Sequence, residues 1–116
     1  METCVFCKII EGQLPSQMVY QNETIVAFHD LNPVAPVHVL IVPRQHTADL
    51  LELADSDHGS AIMAALPEAV QQVARLTNVD QSGFRLINNC GRDGGQTVRH
   101  IHFHLIGGRP LGEKLL

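Results

Sequence analysis

His100-Ile101-His102-Phe103-His104-Leu105-Ile106 is the stretch whose reading decides the fold of this chain. Polar and apolar residues alternate strictly through it, the period of a β-strand with one face turned to a core. Ile101, Phe103 and Leu105 are expected to seal against a helix. The opposite, exposed face then carries three imidazoles in a row, successive ones about 6–7 Å apart at two strand rises. Groups that titrate near neutrality can divide the work of nucleophile, acid and orienting partner. A half-buried strand whose polar face happens to be histidine explains a lone histidine well and three in alternation poorly. A purification tag fits no better, because strand-forming apolar residues separate the histidines and Gly107, Gly108 and Pro110 follow.

The connection that feeds this strand is Cys90-Gly91-Arg92-Asp93-Gly94-Gly95-Gln96-Thr97. Its glycines admit positive φ and close approach of the backbone to a ligand. Successive N–H groups turned inward make an anion-binding concavity, to which Thr97 adds a hydroxyl. Most glycine clusters are only turns, and no helix follows this one, so it fits neither the dinucleotide fingerprint nor a P-loop. Its interest lies in delivering phosphate donors beside a potential nucleophile.

Moving outward, Phe84–Asn88 reads as the preceding strand, and His38-Val39-Leu40-Ile41-Val42, ended by Pro43, as a central strand buried on both faces. Met18–Gln21 and Thr24–Phe28, parted by Asn22-Glu23, read as a hairpin. Helical spacing appears in a short N-terminal segment, Cys4–Ile10, which Gly12 and Pro15 terminate, in Ala48–Leu53, and in the main stretch Ser56–Asn78. Pro67 is expected to kink that last helix or to open a second segment. The sum is an α+β domain: a five-stranded antiparallel sheet with one main helix on one face and a short N-terminal helix.

The 116 residues suffice for one domain, 1–116, and a composition of 45% hydrophobic and 17% charged residues suits a globular chain. A net charge of -4 offers no broad basic face, which favours a small anionic ligand over a nucleic-acid polymer. No window is apolar enough for a membrane span, and Met1-Glu2-Thr3-Cys4 opens no secretory signal. Three cysteines without a disulfide framework suit a reduced, cytoplasmic setting.

Two metal readings arise from spacing. Histidines two apart on a strand can chelate one zinc, so a metal-dependent hydrolase stands beside histidine nucleophilic chemistry, although no carboxylate adjoins the triad in sequence. Cys4-Val5-Phe6-Cys7 lets two thiolates reach one zinc, but alone it is half a site, and two buried free thiols are the alternative. No βαβ context surrounds it, so a redox role is not expected. Cys90 and His58 read as a small apolar filler and a surface residue.

Taken together, the triad with Ala27-Phe28-His29-Asp30, Ala35-Pro36-Val37-His38, Gly94-Gly95-Gln96-Thr97-Val98 and Gly107-Gly108-Arg109-Pro110-Leu111-Gly112 resembles the histidine triad family, in its bacterial Hint branch of purine nucleoside phosphoramidases. The resemblance covers Cys4 to Gly112. It implies cleavage of the P–N bond in adenosine or guanosine 5′-phosphoramidates through a nucleotidyl-histidine, with release of the nucleoside monophosphate and no cofactor needed for catalysis. His102 would be the nucleophile, and His104 would contact phosphate and assist proton transfer to the leaving amine. His100 and His38 would orient the cluster. Asn89, Gly95, Thr97 and Val98 match phosphate-side contacts, with Thr97 standing where serine is common. Asp30 matches the ribose-binding carboxylate. Val5, Phe6, Ile9, Leu14, Phe28, His29 and Leu31 match the purine slot.

Some members complete a structural zinc site, and the matching positions here are Cys4, Cys7, His46 and His100. Family members are homodimers whose sheets join into one larger sheet, with the C-terminal segment near the partner's site. The tail here has no tryptophan to contribute. A Fhit-like dinucleoside polyphosphate hydrolase and a non-catalytic nucleotide-binding adaptor are the alternatives.

Overall fold

The computed structural model describes residues 3–115. In chain order the elements are α1 (Val5–Ile10), β1 (Met18–Gln21), β2 (Ile25–His29), β3 (Val37–Pro43), α2 (Leu50–Ala54), α3 (Gly59–Leu76), β4 (Phe84–Asn88) and β5 (Phe103–Gly107). The strands form one sheet in the order β1-β2-β3-β5-β4. Every neighbouring pair is antiparallel. This is the expected α+β architecture. No described helix is long and apolar enough to cross a membrane.

The two faces of the sheet bury different things. Val39, Ile41, Phe103 and Leu105 pack with Ile62, Leu66, Ala69 and Val73 of α3 in the main core. At helical spacing those α3 residues form one apolar stripe, so burial of the strand's apolar set and of the helix stripe is a single event. The other face carries Val26, Phe28, Leu40 and Val42, capped by Cys4, Phe6 and Cys7 at and within α1. That covering corrects the expectation of an open histidine face: His100 is fully buried and His102 only 4% exposed. The apolar side chains of α1 need a surface, and the face beside the histidines supplies it.

A second correction concerns where the last strand begins. The β3–β5 ladder closes at Ile41 opposite Phe103. Two positions further in that register, past Val42 and His102, Ile101 would stand against Pro43, which has no N–H to donate. Ile101 instead donates its N–H to the Thr47 carbonyl at 2.7 Å. Residues 100–102 therefore stand outside the ladder, although their side chains keep the alternation: Ile101 joins the α3 core while its flanking histidines face α1. His58 braces this junction, its Nε2 lying 2.8 Å from the Thr47 hydroxyl. It is therefore more than the surface residue expected.

The main helix runs unbroken through Pro67, so of the two expectations there, a kink or a second segment, the second is not met. Pro67 and Met63, the residue whose carbonyl loses its partner, are both exposed, so water can satisfy the freed group. The helix ends on Asn78 in the left-handed region at φ 61°, with Val79 N–H returning to the Ala74 carbonyl.

Candidate active site

Beneath α1, a cavity of about 320 Å³ opens onto the histidine face. Register explains its floor. Phe28 pairs with Leu40 and Leu40 with His104, which sets the three side by side on one face of the sheet. His102 continues the row beyond the ladder. Phe6 closes over it, with ring centroids 4.9 Å from His102 and 5.7 Å from Phe28, both edge-on. Thr97 and Val98, from the glycine-rich loop, also line the cavity.

Of the residues singled out in the sequence, Val5, Phe6, Ile9, Phe28, His29, Asp30, Leu31, Thr97, Val98, His102 and His104 line this cavity. Leu14, His38, Asn89, Gly95 and His100 lie outside its lining. Leu40, Pro15, Ser16 and Asn32 also line it. Leu40 sits in a run that reads as continuous core, and the other three occupy loop segments with no periodic signal. No lysine or arginine is among the lining residues, so an anion there must be met by backbone N–H groups and imidazoles.

Hydrogen bonds fix the protons on the rings. His102 Nδ1 lies 2.8 Å from the His100 carbonyl, which can only accept, so that nitrogen donates and Nε2 keeps its lone pair. Burial pushes the His102 imidazolium below its ordinary 6.5, so the ring is neutral at pH 7. His38 is set differently: its Nδ1 accepts the Val34 N–H at 3.2 Å, which leaves the proton on Nε2. That proton points to His104 Nδ1 at 2.9 Å, with the Asp30 carboxylate 3.4 Å away. His104 therefore accepts on Nδ1 and carries its own proton on Nε2. Burial, with His102 and His38 adding to it, lowers the His104 pKa to about 4. Asp30 is held in place by Asn32, whose N–H donates to its other oxygen at 2.8 Å.

His100 belongs to a second cluster. Its Nδ1 is 3.3 Å from Cys4 Sγ and 3.6 Å from Cys7 Sγ, and Cys7 Sγ is 3.3 Å from His46 Nδ1. The four donor atoms lie within 4.8 Å of one another. A tetrahedral zinc with ordinary Zn–S and Zn–N lengths has S···N edges of about 3.5 Å, so the donor set fits that ion. His100 Nε2 donates to the Pro43 carbonyl at 2.8 Å, which frees Nδ1 for ligation and fixes the ring plane. Burial lowers the His100 pKa to about 4, and burial followed by the neighbouring Cys4 raises that of Cys7 to about 11. A dication is the partner that would let the Cys7 thiol ionise there.

Between Asn88 and His100 the glycine loop is tied down by two side-chain amides. Asn89 Nδ2 donates to the Gly94 carbonyl at 2.8 Å, and Gln96 bonds to Gly91, Ala48 and Val98. Gly91 and Gly95 take φ of 74° and 82°, and a side chain at Gly94 would run into the Cys90 carbonyl. The glycines are there because the loop's curvature requires them.

Comparison with known proteins agrees with this geometry. The HIT domain profile matches residues 11–111, and the chain belongs to that family. It is 40% identical over 114 residues to a purine nucleoside phosphoramidase of Escherichia coli, an alignment spanning 98% of this chain and 94% of that protein. Among solved structures it is similar to a HIT family hydrolase from Clostridium thermocellum, with a TM-score of 0.94, 45% identity and coverage of 100% and 99% of the two chains. A histidine triad protein from Clostridium difficile superposes at a TM-score of 0.91 with 42% identity, covering 98% of this chain and 97% of that one.

Proposed function

We propose that this protein is a purine nucleoside phosphoramidase. The observation that carries the reading is the His102 ring, neutral, with Nδ1 committed to the His100 carbonyl and the ring lining the cavity. An imidazole so arranged offers an Nε2 lone pair as nucleophile at pH 7. Purine and ribose would occupy the slot between Phe6, Ile9, Phe28 and Leu31, with the ribose hydroxyls on Asp30. The α-phosphate would meet the Thr97 and Val98 N–H groups and the Thr97 hydroxyl.

His102 Nε2 attacks phosphorus, the N–P bond to the enzyme forms, and the substrate's own P–N bond breaks. The leaving nitrogen needs one proton, which is drawn from solvent water while the His104 Nε2–H group hydrogen-bonds that nitrogen, and which the second half-reaction gives back. Water then attacks the same phosphorus, frees His102, returns a proton through His104 and releases the nucleoside monophosphate. One water is consumed and the enzyme is restored. Phosphate-side N–H groups favour the charge that builds on the non-bridging oxygens. His38 keeps His104 in the required tautomer, and His100 holds His102 through its carbonyl.

Cys4, Cys7, His46 and His100 would hold a structural zinc, whose contribution when bound is to cross-link α1 to the segment bearing the nucleophile. Edge strand β4, with Phe84 and Leu86 each 39% exposed, supports the reading of a homodimer, as does family membership. A reduced, cytoplasmic setting suits the free thiols.

The test is turnover of adenosine 5′-phosphoramidate by the wild type and His102→Ala. The variant should retain nucleoside monophosphate binding while kcat falls at least about a thousandfold. A rate on diadenosine polyphosphate exceeding that on the phosphoramidate would move the assignment to the Fhit-like alternative. Activity that depended on metal, lost on full chelation with the fold intact, would move it to metal-dependent hydrolysis.

A further inference from the structure

Gln96 is outside the cavity lining and outside the set of residues the family signature marks as reactive, yet its side chain is the most heavily bonded in the loop. Its Oε1 accepts the Gly91 N–H at 3.0 Å. Its Nε2 donates to the Ala48 carbonyl at 2.6 Å and to the Val98 carbonyl at 2.9 Å. Its own N–H donates to the Gly91 carbonyl at 3.0 Å. One amide thus uses both donors and its acceptor on the entrance of the loop, its exit, and the segment just after His46 and Thr47.

The bond to Val98 matters most. It reaches two residues along the chain, so the backbone is anchored at the Gln96 N–H and at the Val98 carbonyl. The peptides between those anchors are the ones that carry the Thr97 and Val98 N–H groups. Both residues line the cavity, and among the described residues no acceptor takes either N–H. Two unpaired donors on a cavity wall without lysine or arginine are suited to a tetrahedral anion, provided their direction is fixed beforehand.

We infer that Gln96 is a positioning residue for the phosphate subsite: by clamping Gly91, Val98 and Ala48 it presents the Thr97 and Val98 N–H groups to a phosphoryl group, without touching the ligand itself. The inference rests on the phosphoramidase reading and names the residue that sets its phosphate affinity. Glutamate is the informative replacement. It has the same shape and still accepts from Gly91, but it cannot donate, and it sets a negative charge against the Ala48 and Val98 carbonyls. Methionine keeps the length and removes all three bonds.

The experiment measures adenosine 5′-monophosphate and adenosine binding by calorimetry for wild type, Gln96→Glu and Gln96→Met, with thermal unfolding of each. Adenosine uses only the purine and ribose slot, so a fold defect weakens both ligands alike, whereas loss of the clamp weakens only the nucleotide. We expect the monophosphate to lose about tenfold or more in affinity, the scale of one charge-assisted hydrogen bond, with adenosine changed by less than about twofold. On adenosine 5′-phosphoramidate, kcat/KM falls correspondingly. A monophosphate-to-adenosine affinity ratio that stays at the wild-type value in both variants overturns the inference, as does equal loss of both ligands. A wild-type protein that binds the monophosphate no better than adenosine would instead undo the functional reading beneath it.

Discussion

His102 and His104 differ in what holds their Nδ1 atoms, and that difference divides their chemistry. A carbonyl oxygen on His102 Nδ1 forces the lone pair to Nε2, whereas the His38 proton on His104 Nδ1 forces the proton to Nε2. One ring is thereby a nucleophile and its neighbour a donor, from the same residue type two positions apart. Both imidazolium forms are disfavoured by burial, with the His104 pKa lowered to about 4. Activity requires the neutral rings, so kcat/KM for a phosphoramidate should stay level from pH 7 through the ordinary histidine range. Its acid limb should lie below 6.5, at or above the pH where His104 titrates. A limb at 6.5 or higher would show that the rings are solvated and unperturbed. The alternation of residues 100–104 made the shared face legible in the sequence. The tautomers were not, because Val34, which sets His38, sits in a loop with no pattern of its own.

At the scale of elements, α1 does the work that the sequence least announced. Its six residues bring Phe6 over His102 and Cys7 to His46 and His100. The Cys-x-x-Cys spacing was readable, but a six-residue helix gains little stability alone, so its position depends on what it docks against. If a zinc holds it there, Cys4→Ser with Cys7→Ser should abolish bound zinc, measured by metal analysis. The same pair should lower the melting temperature by on the order of 10 °C. Unchanged stability with metal absent from both proteins would favour the two-thiol alternative. The late start of β5 also belongs here. Alternation carries the strand back to His100, whereas the ladder stops where Pro43 withholds its N–H. Side-chain periodicity and backbone pairing are separate signals, and only the first is written in a strand's own residues.

For the molecule as a whole, the burial that neutralises the histidines links stability to pH. His100 and His104 take up protons near 6.5 when exposed in the unfolded chain, but in the folded one they refuse them until about pH 4. The unfolded state therefore binds more protons between those limits, and stability must fall as pH drops from 6.5 toward 4, levelling off below. Denaturant midpoints across pH 4–8 check this, and a flat profile over that window would contradict it. The five strands and the single α3 stripe were legible from periods of two and 3.6 residues, whereas the strand order β1-β2-β3-β5-β4 was not. Which helix covers the histidine face depended on tertiary packing of α1, which no local period encodes.

The most direct measurement concerns the bond that His102 is proposed to form. Wild-type protein is mixed with adenosine 5′-phosphoramidate, quenched within milliseconds in alkaline denaturant, under which an N–P bond survives, and digested for mass spectrometry. An adenylyl group on the peptide bearing His102, absent from His102→Ala, is the predicted result. Sustained turnover with no adduct at any time, or an adduct carried by a different residue, would contradict the account.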